Sequence, residues 1–215
     1  ITDDGLAHLK GWTNLEKLFL EGPRITGVGL EHLKGLTNLQ TLYLNNTKVS
    51  DDGLVHLKGM TELRELVLTS TNISNSGLEH LKGLTNLDGE WHLGLSLKGT
   101  RVTDAALVHL KGLTKLEYLN LENAPITGAG LVHLRELRNL AMLSINGREF
   151  NDDGMVYLKD FKHLESLFLL DNKISDKGLV HLKGLTQLSR LALNKNNITS
   201  LEELKGLTNL EWLWL

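Results

Sequence analysis

The 215-residue chain contains no cysteine, which excludes disulfide staples, thiol catalysis and cysteine-ligated zinc but leaves the compartment open. No apolar run approaches the ~20 residues that cross a bilayer, so no membrane span is expected. An excess of one charge is also missing. The formal net charge is −3 with both signs interspersed, so nucleic acid and anionic membranes are not expected partners. The sequence opens inside a repeat at Ile1, and a signal peptide is not among its readable features. Aromatic residues are few, eleven in all, so the positions they occupy carry information.

What the chain has is a period. The stretch from Ile1, ITDDGLAHLKGWTNLEKLFLEGPR, returns from Ile25 as ITGVGLEHLKGLTNLQTLYLNNTK. Further copies begin at Val49, Ile73, Val102, Ile126, Phe150, Ile174 and Ile198, and no Pro/Gly/Ser linker separates them. The spacing therefore predicts one domain over 1–215. The copy from Ile73 carries five extra residues, and the last is shortened near its start.

Each copy predicts a short helix, a short strand and a tight return loop. Thr2, Thr26, Ser50, Ser74, Thr103, Thr127, Asn151, Ser175 and Thr199 stand where a side chain caps a helix N-terminus. Acids such as Asp3-Asp4 and Asp152-Asp153 follow, where the helix dipole favours them. Gly11, Gly35, Gly59, Gly83, Gly112, Gly184 and Gly206 are expected to end the helices in a left-handed conformation. Glu136 and Asp160 break that rule, so those two helices are expected to end differently. Alternating leucines, as in Leu18-Phe19-Leu20, point in, and the residues between them point out.

One repeat offers about seven core residues (Ile1, Leu6, Leu9, Trp12, Leu15, Leu18 and Leu20 in the first), too few to order 24 residues alone. Stacked repeats cover one another, and their strands pair in one parallel sheet. Nine strands ~4.8 Å apart give a sheet about 40 Å wide. Helices are wider than strands, so the sheet side becomes concave. The expected fold is an α/β solenoid, an arc or horseshoe with short helices on its convex face.

The pattern GLxHLKGLTxLxxLxLxxT resembles the leucine-rich-repeat family, in particular bacterial repeats of about 24 residues similar to the cysteine-containing and GALA-type subclasses. The final copy, ITSLEELKGLTNLEWLWL, is similar to internalin-type repeats. The resemblance covers the whole chain. It implies a binding scaffold that holds partners, usually proteins, on its concave face, and it implies no reaction and no cofactor. The family's terminal caps are not recognisable, which leaves a fragment or an engineered array open.

No motif argues for catalysis. TGVG at Thr26 and TGAG at Thr127 are ordinary helix starts, not phosphate loops. His8, His32, His56, His80, His109, His133 and His181 form a ladder in which Tyr157 takes the eighth place. A metal site needs a closed cluster of ligands rather than a row, so the ladder is expected to cover the core and bond a neighbouring repeat's backbone. The Asp-Asp pairs fit caps better than calcium, and no Ser/His/Asp set stands outside the repeat.

Consensus positions build the fold, so ligand contacts are expected where copies differ, on the outward strand positions. Six of the eleven aromatics fall there: Phe19, Tyr43, Tyr118, Phe168, Trp212 and Trp214. With Glu65, Asn120 and Arg190 on the same face they form the candidate ligand site. Trp91, in the insert around Asp88–His92, is either a further contact or a plug for its loop. Trp212 and Trp214 either bind ligand or pack under a cap.

Two binding functions compete, protein recognition and polysaccharide binding on aromatic platforms beside Asn120 and Glu65; a purely structural array is the third reading. Strand 211–215 has no capping element after Leu215. Its apolar edge is expected to be hidden by self-association or by further sequence.

Overall fold

The computed structural model describes residues 1–89 and 94–215. Strands β1 (Lys17–Glu21), β2 (Thr41–Asn45), β3 (Glu65–Val67), β4 (Leu95–Ser96), β5 (Tyr118–Asn120), β6 (Met142–Ser144), β7 (Ser166–Phe168), β8 (Arg190–Ala192) and β9 (Trp212–Trp214) pair in chain order into one open parallel sheet. The expected leucine column is continuous. Leu18, Leu42, Leu66, Leu95, Leu119, Leu143, Leu167, Leu191 and Leu213 face one another across all eight joints. Its seven interior members are at most 1% exposed, whereas Leu213 is 40% exposed because an end repeat has only one neighbour. For the same reason Ile1 and Trp12, expected in the core, are surface residues.

The opposite face carries single helical turns, α1 (Asp3–Leu6), α2 (Gly27–Leu30), α3 (Asp51–Leu54), α4 (Asn75–Leu78), α5 (Asp152–Met155) and α6 (Asp176–Leu179). Each runs on into a 3₁₀ segment such as Ala7–Leu9. Repeats five, six and nine have 3₁₀ structure only, Asp104–Leu110, Ala129–Leu134 and Glu202–Leu204. Elements this short do not persist alone, and their buried leucines hold them.

Three local expectations need correction. Of the seven glycines assigned to left-handed helix stops, only Gly11 has a positive φ. The left-handed residue instead lies in the return loop of every full repeat: Gly22, Asn46, Ser70, Gly99, Asn123, Gly147, Asp171 and Lys195. There the chain reverses after the strand, and in three repeats the next residue secures the reversal, Thr47, Thr71 and Thr100 each donating a hydroxyl to the carbonyl three residues back.

The cap residues also act differently. Side-chain caps form at Thr26, Asn151 and Ser175. The commoner bond runs between repeats: the first helical aspartate accepts both the backbone N–H and the hydroxyl of the next repeat's cap residue. Asp3 holds Thr26 in this way, Asp51 holds Ser74, Asp104 holds Thr127, Asp152 holds Ser175 and Asp176 holds Thr199. These aspartates are joints between repeats, and the helix dipole is not their main reason. Their neighbours Asp4, Asp52 and Asp153 are exposed.

Where the aspartate is replaced by glycine, backbones close up. A Cβ on Gly53 would lie 2.6 Å from the Cα of Gly27, and one on Gly128 would lie 2.6 Å from the Cα of Gly154. The glycines of TGVG and TGAG are therefore packing devices at two of the eight joints.

Candidate functional site

The sheet register places the outward residues in ladders along the concave face. At its start the rings of Phe19 and Tyr43 meet edge to face, 4.7 Å apart. The Tyr43 hydroxyl donates to a Glu65 carboxylate oxygen at 3.1 Å. Burial, then the charge of Glu65 and this bond, push the Tyr43 phenol up to about 12. Glu65 is 1% exposed, so the expectation that it meets a ligand is corrected: it sits under its neighbours as a support. Phe19 is 61% exposed, but Tyr43, Tyr118 and Phe168 are only half-buried rather than fully presented. Neighbouring rungs of the ladder cover part of each ring.

The middle of the face holds a depression of about 200 Å³ lined by Tyr118, Leu119, Asn120, Glu122, Met142, Ser144 and Phe168. It exists because the rung between the two rings is small: Ser144 is buried and donates to Glu122, which in turn pairs with Lys98 at 2.6 Å. Asn120 turns its amide oxygen to the Glu122 N–H at 2.9 Å, which fixes that wall. Arg190 is exposed on β8. Desolvation, then Glu117 and Glu165, raise the Tyr118 phenol, and Arg190 opposes them. Tyr118 thus stands among charges of both signs.

From the depression an apolar strip continues to β9. Phe168 and Trp214 have ring centroids 6.4 Å apart, and Trp214 and Trp212 5.5 Å apart. The structure therefore joins Tyr118, Met142, Phe168, Trp214 and Trp212 into one patch, and Phe19 with Tyr43 into a second. Trp91 lies outside the described residues.

A larger depression of about 630 Å³ opens at the edge where the chain enters β5 to β8, and Tyr118 lines it too. Its other walls include Glu117, Arg138, Lys162, His163 and Glu165. Sequence reasoning marked Glu136 and Asp160 nearby as departures from the repeat but did not see this groove. The signal was Arg138 and Lys162 standing where seven repeats have threonine.

On the helical side, the Nδ1 atoms of His32 and His80 are buried without a hydrogen-bond partner. The expected backbone bonds from these imidazole atoms are thus not formed. Among the described residues no three His, Asp or Glu side chains converge as a metal-binding group. Zinc or EDTA is expected to leave the melting temperature unchanged, and a rise of several degrees at stoichiometric zinc would assign the ladder a metal.

A parallel-strand repeat solenoid with a concave, aromatic-bearing face defines a class of binding scaffolds. This chain is a leucine-rich-repeat protein: leucine-rich-repeat models match residues 13–73, 112–137 and 162–182. It is similar to internalin C2 of Listeria monocytogenes, with 28% identity and a TM-score of 0.73 over 99% of this chain and 83% of that one. Internalin F of the same organism aligns at 24% identity and a TM-score of 0.67, over 96% of this chain and 69% of that one. The ectodomain of the Arabidopsis thaliana receptor kinase GASSHO1/SCHENGEN3, solved with CASPARIAN STRIP INTEGRITY FACTOR 2, shares the fold at 22% identity and a TM-score of 0.60, over 92% of this chain and 23% of that one. No curated protein sequence matches.

Proposed function

We propose that the chain is a non-catalytic module that recognises a protein through its concave face. The observation that carries this reading is the patch of Tyr118, Met142, Phe168, Trp214 and Trp212 laid over small buried rungs, Ser144, Ser166 and Ala192. Rigid aromatics around a shallow apolar depression, with a charged rim, are the anatomy of an interface centre. The aromatics gather in two separate patches rather than one continuous row, so a polysaccharide is the less favoured ligand.

The test is a protein array probed beside a glycan array, followed by variants. Tyr118→Ala and Phe19→Ala are expected to leave the unfolding midpoint nearly unchanged. Each is expected to weaken a specific protein ligand by more than ~1 kcal/mol where its ring is an interface anchor. Binding confined to the glycan array, or loss of folding with affinity retained, would overturn the reading.

A further inference from the structure

A repeat protein carries its own control, because the residue most copies hold at a position shows what the fold requires there. Repeats six and seven depart from that pattern together. Where seven copies have the glycine after the helix they have Glu136 and Asp160, and where seven have threonine they have Arg138 and Lys162. One position further, Asn38, Asn86, Asn139 and Asn209 donate to the carbonyls of Thr13, Thr61, Thr114 and Thr186 in the preceding repeats. Repeats three, five, seven and eight hold Glu62, Lys115, His163 and Gln187 there, and of these only His163 brings a ring.

These departures coincide with the two depressions on the edge of the sheet. Arg138, Lys162 and His163 line both the 630 Å³ groove and an adjoining one of about 290 Å³. All three are exposed. Neither cation is engaged by a strong partner: Arg138 reaches Glu136, two residues away, at 3.7 Å, and Lys162 Nζ donates to the Gly184 carbonyl at 3.4 Å. Exposed pairs of this kind contribute about 0–1 kcal/mol, so both side chains are available to an incoming anion. Acids bound the cations on both sides, Glu136 and Asp160 in the smaller depression and Glu117 and Glu165 in the larger. A long polyanion would meet those carboxylates at either end, whereas a short acidic stretch fits between them.

We infer that this edge groove is a second recognition site, which takes a short carboxylate-rich segment of a protein partner between Arg138, Lys162 and His163. Because Tyr118 lines both this groove and the concave depression, one partner spanning the two would be held at an apolar and an acidic point. That last statement rests on the proposed function; the groove's own chemistry does not.

The probe is a hexaglutamate peptide titrated at low ionic strength, with hexaserine as control, and followed by amide chemical shifts. Shifts are expected at Arg138, Lys162, His163 and Tyr118. The double variant R138T/K162T places in both repeats the residue their neighbours already hold, so it folds, and it is expected to bind at least tenfold more weakly. The control variant K34T/K58T, with two exposed lysines elsewhere on the solenoid, is expected to change affinity less than twofold. Absence of binding, or equal loss in both double variants, would overturn the site, the latter marking diffuse attraction. Tyr118→Ala binding hexaglutamate normally while a concave-face protein ligand is unaffected would count against the concave reading and leave the groove intact.

Discussion

Gly53→Ala is expected to destabilise the protein by about 1–3 kcal/mol, because the new methyl would force a backbone shift in a close-packed joint. Its Cβ would stand 2.6 Å from the Cα of Gly27, and no rotamer change relieves a contact with main chain. Gly154→Ala meets the same obstacle at Thr127 and Phe150. The informative partner is Gly59→Ala. There an added methyl meets nothing within 4 Å and φ is not positive, so a gain of about 0.4–1 kcal/mol is expected from the less flexible unfolded chain. Urea denaturation of the variants checks both signs, and a stabilising Gly53→Ala would refute the packing account.

Asp104→Ala is expected to cost about 2–3 kcal/mol, since it strips charged hydrogen bonds from the buried Gly128 and Gly130 and from Thr127 at once. The Asp104 carboxylate accepts from the N–H groups of Thr127, Gly128 and Gly130 and from the Thr127 hydroxyl. Asp153→Ala, at an exposed acid, is expected to change stability by less than ~0.5 kcal/mol. The same joints set an acid limit. At Asp104 and Asp51 desolvation is the largest influence and pushes the carboxyl up, but the hydrogen bonds together outweigh it and hold both below the ordinary 3.8. At Asp176 the bonds to Thr199 and Ser200 lower it with little opposition. A depressed folded-state value means stability that is complete above the unfolded value of 3.8 and is lost as pH falls through the folded one. Melting temperature is therefore expected to hold down to about pH 4 and to fall below it, with a smaller fall in Asp104→Asn; an equal fall would remove the joints as the cause.

The period and the leucine column were legible because they depend on alternation, which a single strand states for itself. Nine leucines chosen from the sequence pair in the structure without a slip. What failed depends on a neighbour one period away. Glu65 has an outward register, but its burial is decided by Tyr43 and the rungs beside it, not by its own strand. Asp3 and its equivalents look like first-turn acids until the next repeat's threonine is placed beside them. The helix-stop glycines were misread because glycine after a helix has a familiar reason, and here the positive φ is needed later, at positions as varied as Asn46, Ser70 and Lys195. The edge groove was legible in part, as Arg138 and Lys162 in a threonine column, but only stacking shows that they share a depression.

The aspartate joints also determine how the molecule should give way under force. A chain pulled from its two ends loads one repeat-to-repeat seam at a time, so extension should proceed in steps rather than as a single rupture. Releasing a 24-residue copy frees about 80 Å of contour, and the 29-residue copy from Ile73 about 100 Å. Seams stitched by a carboxylate should outlast the two closed by glycine against glycine, so a single-molecule trace should part first between repeats two and three or six and seven.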